Sequence, residues 1–513
     1  MYICRTVRAI GYRRSVATAA PRPEVADGPH VLMVTPECYP LVKTGGLADV
    51  AGALPLALTA VGVRSTVLMP GYRDVATRLS DRREIAAIDD LFGGPASLVG
   101  GITGDGLEVW LVDAPHLYDR PGGPYLDPSG RDWPDNHLRF AALGWVGAEI
   151  ALGRYGDRTP DLVHLHDWQS ALTAAYLRYA APTAAPATVL TIHNLAFQGV
   201  FDADVLGSLG LPPEAMDIDA LEYWGRLSFL KAGVLWADRI NTVSPTYARE
   251  ILGHEFGMGF DGLLRGRGTD LSGIVNGIDE AVWDPARDPH VPTPYSMRRL
   301  GAKAANTAAL RHELGLRSDA SGPLFCVISR LTTQKGLDLL LEAVPHLVRS
   351  GAQLAVLGAG ERWLEDGFRA AAAAHPDSVA TVIGYDEPLA HRLQAGADSI
   401  IVPSRFEPCG LTQLYGLRYG TLPLVARVGG LADTVIDANE AALRDGVATG
   451  FQFAPVTTDA LSIAISRVVE LHADRAAWQR VQRRAMTRDV SWELAAGSYR
   501  ALYDSILEQH RAR

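Results

Sequence analysis

Cationic side chains lie beside glycines or polar turns in two segments, and these segments are the best candidates for phosphate binding. Lys43 comes just before Gly45 and Gly46, and Arg330 and Lys335 lie between a strand pattern and a helical pattern. Free N–H groups at the start of a helix and nearby cations both favour an anion. We therefore predict that Lys43 binds phosphate rather than lying free on the surface. Arg330 and Lys335 would stabilise a diphosphate leaving group.

The sequence Gly-Gly-Leu-Ala-Asp occurs at residues 45–49 and again at 429–433, each time before a helical pattern. One such pair of glycines serves close helix packing as readily as ligand binding. Because one copy lies in each half of the chain, we favour ligand binding for both.

Polar residues follow two further strand patterns. Glu407 lies on a loop that enters a helix, where its carboxylate could accept hydrogen bonds from sugar hydroxyls. The alternative is an acid placed at a helix N-terminus because the dipole favours it. His193, with Asn194 and Gln198 after it, predicts a polar cleft rather than a structural histidine.

Two motifs resemble metal sites, and we expect neither to bind a metal. His164, His166 and Asp167 are close in sequence, but alternating residues of a strand point to opposite faces, and we expect His166 and Asp167 already to leave the strand. Asp217 and Asp219 form an Asp-x-Asp motif in a loop, where a solvated or capping role is favoured.

Short β-branched runs alternate with helical patterns from residue 29 onward, which is typical of parallel α/β sheets. Two such series predict two doubly wound domains, at 29–280 and 281–488, with a proline-rich segment at 284–295 near their junction. An amphipathic helix at 489–513 must pack on one of them. The predicted strands are 31–35, 64–69, 108–113, 161–166, 188–192, 239–243, 325–329, 353–357, 379–383, 399–403 and 422–426.

Composition excludes several classes of protein. The chain of 513 residues has 48 basic and 58 acidic side chains, a net charge of −10, which argues against non-specific nucleic-acid binding. Its 4 cysteines are far apart and fit neither a metal site nor a disulfide framework, so a reducing compartment such as the cytoplasm is expected. The sequence contains no apolar run long enough for a membrane span.

Taken together, the longest motifs resemble those of the bacterial glycogen synthases and the similar plant starch synthases. They run in the family's order and are Lys43–Val50, His166-Asp167-Trp168, 191–199, Asn276–Asp279, 329–336 and 407–413. The resemblance implies a GT-B fold, in which two Rossmann-like domains face each other across a cleft and the C-terminal helix crosses back to the first. It also implies transfer of glucose from ADP-glucose to the non-reducing end of an α-1,4-glucan such as glycogen, with retention of configuration and without a metal or other cofactor.

The family's functional residues match this chain position by position. The resemblance assigns Glu407, His193, Arg330 and Lys335 to catalysis, Glu407 by orienting the donor glucose and the two cations by holding the diphosphate. The implied donor-binding residues are Lys43, Gly45, Gly46, Tyr385 (stacked on adenine), Cys409, Gly410 and Leu411. The implied acceptor-binding residues are Glu37, Asp49, Asp167, Trp168 and Asn194.

The chain departs from the broader retaining superfamily at one position. A Glu-x7-Glu pattern is usual there, and Tyr415 stands in the second place, as the resemblance to the synthases already implies. A double displacement needs a carboxylate nucleophile, and the sequence offers no strong candidate. We therefore favour attack by the acceptor hydroxyl on the face that ADP leaves, with the departing phosphate taking the proton.

Alternatives to this function remain at the level of the sequence. They are a starch synthase of a plastid, a dinucleotide-dependent oxidoreductase and a glucan-binding scaffold without catalysis. The oxidoreductase lacks the Gly-x-Gly-x-x-Gly fingerprint. The intact Lys43, Arg330, Lys335 and Glu407 argue against the scaffold. Physical reasoning does not fix ADP-glucose over UDP-glucose, and the sequence gives no oligomeric state.

The first 28 residues are rich in arginine, and their first acid is Glu24. Such a start is typical of an organelle transit peptide, of a disordered tail or of a start codon assigned too far upstream, and we favour one of the last two. Because the α/β pattern begins only near His30, deletion of residues 1–28 should leave a soluble and active protein. Soluble yield and turnover of the truncated chain check this expectation. Loss of either would show that the segment is structural.

Overall fold

The computed structural model describes residues 28–181 and 185–512, and these residues form two compact units. The first unit comprises the described residues up to 242, residues 251–274 and the chain from 495 onward. The second comprises residues 243–250 and 275–494. The tail predicted for residues 1–28 lies outside the described residues as far as residue 27.

A nine-stranded sheet forms the centre of the first unit. Its central strands are buried apolar runs, such as Val31 to Val34, because helices cover both faces. The order of the strands is β12-β11-β7-β6-β1-β2-β5-β4-β3, and every neighbouring pair is parallel except the two pairs that include β4. The strands are β1 (His30–Val34), β2 (Arg64–Pro70), β3 (Ser80–Ile88), β4 (Ala96–Ile102), β5 (Glu108–Asp113), β6 (Leu162–His166), β7 (Ala187–Ile192), β11 (Arg239–Thr242) and β12 (Leu271–Gly273).

Helices and a small second sheet complete the first unit. The small sheet has the order β8-β10-β9 and is formed by β8 (Val200–Asp202), β9 (Glu222–Tyr223) and β10 (Arg226–Ser228). The helices are α1 (Gly46–Ala60), α2 (Pro115–Tyr118), α3 (Asn136–Ala151), α4 (Asp167–Ala180), α5 (Phe229–Trp236) and α7 (Asp261–Gly266). Within the ranges that the structure describes, we find no helix with the length and apolar character that a membrane crossing requires.

The second unit contains a six-stranded parallel sheet with the order β15-β14-β13-β16-β17-β18. The carboxyl ends of its strands therefore meet at one edge, where the loops that follow them lie close together. The strands are β13 (Leu324–Ile328), β14 (Gln353–Gly358), β15 (Val379–Ile383), β16 (Ser399–Val402), β17 (Leu422–Ala426) and β18 (Phe451–Phe453).

Helices pack around this sheet and share one large apolar core with it. They are α8 (Lys303–Glu313), α9 (Leu337–Arg349), α10 (Arg362–Ala374), α11 (Glu387–Gly396), α12 (Thr412–Tyr419), α13 (Gly429–Thr434), α14 (Glu440–Arg444), α15 (Thr458–Ala473) and α16 (Arg475–Met486). A further helix of this unit, α6 (Pro245–Glu250), packs on α13. The proline-rich segment belongs to this unit, because Tyr295 is buried and its hydroxyl donates to Tyr419 O at 2.7 Å.

The C-terminal helix, α17 (Trp492–Arg511), belongs to the first unit from Ala495 onward. Its buried tyrosines contact the sheet: Tyr503 OH lies 2.8 Å from His164 Nδ1, and Asn241 Nδ2 donates to Tyr499 OH at 3.1 Å. Arg500 Nη1 donates to Val61 O at 2.8 Å. The predicted fold class, two Rossmann-like α/β units with a C-terminal helix that returns to the first, is confirmed.

All the strands predicted from the sequence are present to within a residue or two, but the strands β3, β4, β8, β9, β10, β12 and β18 were not predicted. β3 lies at the edge of the sheet and is mostly exposed, with Ser80, Asp81, Arg82, Arg83 and Glu84 in sequence. Charged residues on an edge strand prevent pairing with other chains, and they also remove the apolar alternation that reveals a strand.

The hydrogen bond between Tyr503 and His164 should contribute measurably to stability. The change Tyr503→Phe removes the hydroxyl and leaves a buried imidazole nitrogen without a partner, a loss of about 1–3 kcal/mol. For a domain of this size, each kcal/mol corresponds to a fall of about 2–4 °C in Tm, measured by calorimetry. Tyr179→Phe, on an exposed ring, is the matched control and should leave Tm unchanged. Equal Tm values for the two variants would contradict the expectation.

Candidate active site

Two loops of the second unit are held together at the carboxyl ends of the neighbouring strands β13 and β16. Arg405 N donates to Gln334 O at 3.0 Å, and Gln334 Nε2 donates to Phe406 O at 2.6 Å. Gly336 has φ +68°, and a Cβ there would lie 1.9 Å from Pro403 O. Only glycine fits this contact, which fixes the loop 329–336 against the loop 403–411.

Lys335 and Glu407 form an ion pair between these loops. Lys335 Nζ lies 2.6 Å from Glu407 Oε2, and the side chains are 21% and 9% exposed. Ser404 Oγ donates to the same carboxylate oxygen at 2.9 Å. The sequence assigned Lys335 to the diphosphate and Glu407 to the sugar, and the structure brings the two side chains together. Because the pair is largely buried, loss of one partner would leave an unpaired charge.

Arg330 lies on the same loop as Lys335 and is exposed. Among the described residues, no carboxylate is within ion-pair distance of its guanidinium, whose five N–H donors are suited to phosphate oxygens. The nearby Gly358 and Gly360 have a structural role, since a Cβ on either would lie within 2.3 Å of Ser329 O or Leu331 O. They allow the loops after β13 and β14 to touch.

The second Gly-Gly sequence supports the loop that carries Glu407. Gly430 N donates to Glu407 O at 3.1 Å, and Gly429 N donates to the carboxylate of Glu250 at 2.9 Å. A Cβ on Gly429 would lie 1.9 Å from Glu407 O, and one on Gly430 would lie 2.3 Å from Cys409 O. Since these N–H groups are bonded within the unit, close packing, and not the favoured ligand binding, explains this copy.

The residues after Glu407 can offer backbone rather than side-chain groups to a ligand. The Cys409 thiol is buried, and burial raises its pKa to about 12, so it stays neutral. Gly410 has φ +74°, and Gln413 Nε2 donates to Cys409 O at 3.1 Å and Gly410 O at 2.9 Å. Leu411 immediately precedes α12, so the N–H groups of that helix start here.

Tyr385 follows the edge strand β15 and is 81% exposed. Its hydroxyl donates to Glu387 Oε2 at 2.8 Å, which restrains the side chain. An exposed and restrained aromatic ring is what stacking on adenine requires, so the assignment of Tyr385 stays a prediction consistent with its position.

In the first unit, Glu37 holds the loop that carries Lys43. Thr44 donates to the Glu37 carboxylate from its backbone N at 2.5 Å and from Oγ1 at 2.7 Å, and Tyr125 OH donates at 2.9 Å. Burial raises the pKa of Glu37. Lys43 Nζ lies 2.8 Å from Asp49 Oδ1 at the start of α1. The two predicted acceptor carboxylates, Glu37 and Asp49, therefore both have partners within this loop.

The first Gly-Gly sequence differs from the second in its surroundings. Gly45 caps α1 with φ −157°, and a Cβ there would meet nothing within 4 Å. Gly46 begins the helix. The space beside Gly45 is therefore open, and the approach of this copy to a ligand stays a prediction.

Asp167 joins the loop after β7 to the start of α4. Its backbone has φ +55°, and its Oδ1 accepts from His193 N at 2.7 Å. Burial raises the pKa of Asp167 to about 7, against the effect of backbone hydrogen bonds from His193 and Asn194. Asn194 Oδ1 in turn accepts from Ala196 N at 3.0 Å. These contacts fix the backbone around His193.

Trp168, the neighbour of Asp167, packs into an aromatic cluster. Its ring centroid lies 4.9 Å from that of Phe140 and 5.8 Å from that of Phe201. A Cβ on Gly199 would lie 2.3 Å from the indole. The half-buried Trp168 thus contributes to the core, and its assignment to the acceptor stays a prediction.

The structure corrects one step of the sequence argument about the histidines. His164 and His166 lie two residues apart on β6, so they share one face, and their ring centroids are 4.1 Å apart. His166 Nδ1 lies 3.0 Å from His193 Nε2. In the part of the chain that the structure describes, no group of three or more His, Cys, Asp or Glu side chains is arranged to hold a metal ion.

Three contacts of the site were missed in the sequence: Tyr125 on Glu37, Ser404 on Glu407 and His166 on His193. For Ser404 and His166, the sequence signal was their position at or just beyond the end of a parallel strand. Tyr125 gave no such signal, because it lies in an irregular loop far from Glu37 in sequence.

Family models match both units. The model described as "Starch synthase catalytic domain" matches residues 30–266, and the model described as "Glycosyl transferases group 1" matches residues 314–484. Each match covers one of the two large sheets almost completely.

Curated relatives and solved structures extend this similarity to nearly the whole chain. A glycogen synthase of Rhodopseudomonas palustris is 54% identical over 482 residues, which are 94% of this chain and 98% of the relative. A glycogen synthase of Roseobacter denitrificans is 54% identical over 93% of this chain and 99% of its own. The catalytic domain of starch synthase IV from Arabidopsis thaliana, bound to ADP and acarbose, has a TM-score of 0.84 at 30% identity and covers 95% of this chain and 100% of its own. A sucrose-phosphate synthase of Thermosynechococcus elongatus, with a TM-score of 0.54 at 18% identity, shares the fold.

These similarities agree with the motifs around Lys43, Lys335 and Glu407, and the chain belongs to the glycogen and starch synthase family of GT-B glycosyltransferases.

Proposed function

We propose that this protein transfers glucose from ADP-glucose to the non-reducing end of an α-1,4-glucan, such as glycogen, with retention of configuration. The observation that carries the proposal is the Lys335–Glu407 ion pair beside the exposed Arg330. The names of the relatives, and the ADP and acarbose bound to the Arabidopsis neighbour, support the same substrates.

In this proposal the cations of the second unit act on the leaving group. Negative charge grows on the diphosphate as its bond to glucose breaks, and Arg330 and Lys335 stabilise that charge. Glu407 holds Lys335 in place and accepts hydrogen bonds from the glucose. The backbone at Cys409 to Leu411 and the ring of Tyr385 complete donor binding.

In this proposal the first unit binds the acceptor glucan, and its Lys43 binds the diphosphate. Asp167 fixes the backbone of His193, whose side chain contacts the transferred glucose. The acceptor hydroxyl attacks on the face that ADP leaves, forms the new C–O bond as the bond to phosphate breaks, and gives its proton to the departing phosphate. This reaction requires no metal or cofactor, and we place it in the cytoplasm.

The decisive experiment is ADP release from ADP-glucose with glycogen, run beside UDP release from UDP-glucose. We expect ADP release that depends on glycogen and a product whose new linkage is α by NMR. Binding of glycogen without ADP release would indicate a scaffold, and faster turnover of UDP-glucose would overturn the choice of donor. An absorbance change with NAD(P)H would indicate an oxidoreductase.

Substitution of either cation should lower turnover strongly. Arg330→Ala and Lys335→Ala should each reduce kcat about a hundredfold or more, the size typical of losing one preorganised charge donor. Arg317→Ala is the matched control, because Arg317 is an exposed arginine of the same unit whose partner is Asp319 at 3.3 Å. Near-normal turnover of either test variant, with the fold intact by circular dichroism, would show that the cation does not act on the diphosphate.

Glu407→Gln should lower kcat more than it weakens ADP binding, since the carboxylate acts on the glucose and on Lys335 rather than on the nucleotide. Because Lys335 and Glu407 touch, the double variant Lys335→Ala/Glu407→Gln should lose less than the product of the two single losses. Calorimetry with ADP measures the affinity of each variant for ADP, and ADP release on the same preparations measures kcat. Weak ADP binding with normal kcat, or fully multiplicative losses, would contradict these roles.

A further inference from the structure

His166 is buried beside His193, and one of its ring nitrogens has no hydrogen-bond partner in the part of the chain that the structure describes. Its Nδ1 lies 3.0 Å from His193 Nε2. Its Nε2 is buried and makes no hydrogen bond with any described residue. A buried neutral histidine with one hydrogen-bond partner therefore favours one of its two tautomers over the other.

Neighbouring residues prevent the His166 ring from turning. The ring of His164 lies 4.1 Å away between centroids on one side, and the ring of His193 lies at 5.3 Å. His164 is itself held from both nitrogens, by Tyr503 OH at 2.8 Å and Thr191 Oγ1 at 2.7 Å. The orientation of His166 is therefore fixed from β6, β7 and α17 together.

Both members of the His166–His193 pair are neutral at physiological pH. Burial lowers the pKa of His193 to about 3, and burial with the neighbouring histidines lowers the pKa of His166 well below its usual value. Each ring therefore carries one proton, and exactly one of the two facing nitrogens must be the donor.

The buried Nε2 of His166 decides which nitrogen donates. A proton on that nitrogen would leave a buried N–H without an acceptor, an arrangement that proteins rarely tolerate. With its proton on Nδ1, His166 donates to Nε2 of His193. His193 then carries its own proton on Nδ1, which has no partner among the described residues, and its side chain is only partly buried.

We propose that His166 is a positioning residue that keeps His193 protonated at Nδ1, so that His193 presents an N–H donor to an oxygen of the transferred sugar. The sugar part of this inference rests on the proposed function, whereas the protonation of His193 does not. No proton moves in this role: His193 donates a hydrogen bond and remains neutral. The oxygen that it contacts must be an acceptor, so replacing that hydroxyl of the donor by hydrogen should cost affinity or turnover.

Two substitutions separate this role from packing. In His166→Asn the amide nitrogen can take the place of Nδ1 and keep the donor, whereas His166→Phe keeps a ring and removes it. His30→Phe is the matched control, because His30 is buried on β1 of the same sheet and its ring forms a hydrogen bond with Thr66 Oγ1, at 2.9 Å, rather than with a residue of the site. We expect His166→Phe to reduce kcat about ten- to a hundredfold, by analogy with the loss of the outer partner of a metal-bound histidine. His166→Asn should retain most of the kcat, and His30→Phe should match the parent protein.

The readout independent of activity is the imidazole ¹⁵N spectrum of the ligand-free protein, with the His193 signals assigned by their absence in His193→Gln. We expect a protonated Nδ1 and an unprotonated Nε2 in the parent protein, and a mixture of the two tautomers in His166→Phe. A protonated Nε2 in the parent, or an unchanged spectrum in His166→Phe, would overturn the inference. If the spectra are as expected but the parent releases no ADP, the proposed function fails and the assignment of His193 Nδ1 as a donor stands.

Discussion

The contact between Lys335 and Glu407 is possible only because the backbones of three loops touch. These loops follow β13, β16 and β17, whose carboxyl ends lie side by side in the parallel sheet of the second unit. Gly336 meets Pro403, and Gly429 meets Glu407, at distances that leave no space for a Cβ. The sheet brings the loops to one edge, and the absence of a Cβ on these glycines lets their backbones come into contact. The ion pair then holds both charges at a defined position.

Carboxylates in the first unit serve a related purpose. Glu37 and Asp167 are buried, and each accepts hydrogen bonds from a neighbouring loop, Glu37 from Thr44 and Asp167 from the backbone of His193. Burial raises the pKa of both groups because it disfavours the charged carboxylate. The hydrogen bonds that each carboxylate accepts lower its pKa and so offset part of this rise. Such carboxylates fix the shape of the loops that carry Lys43 and His193.

The histidines of β6 and β7 show how far such positioning extends. Tyr503 on the C-terminal helix contacts His164, His164 packs on His166, and His166 contacts His193. This chain of contacts explains why the last helix of the sequence belongs with the first sheet. A helix that supplied only apolar burial would not need hydroxyl groups at buried positions.

The amino-acid sequence by itself determined the α/β class, the main strands and the family, and it singled out residues such as Lys43, Arg330, Lys335 and Glu407 as candidates to bind a nucleotide sugar. Those conclusions depend on local patterns and on motifs of contiguous residues, which a sequence displays directly. Only the tertiary structure decided which of these residues touch. It paired Lys335 with Glu407, assigned the second Gly-Gly sequence to packing, and placed His166 beside His193. Such contacts join residues far apart in the chain, and they depend on strand order and on backbone approach, neither of which a local pattern encodes.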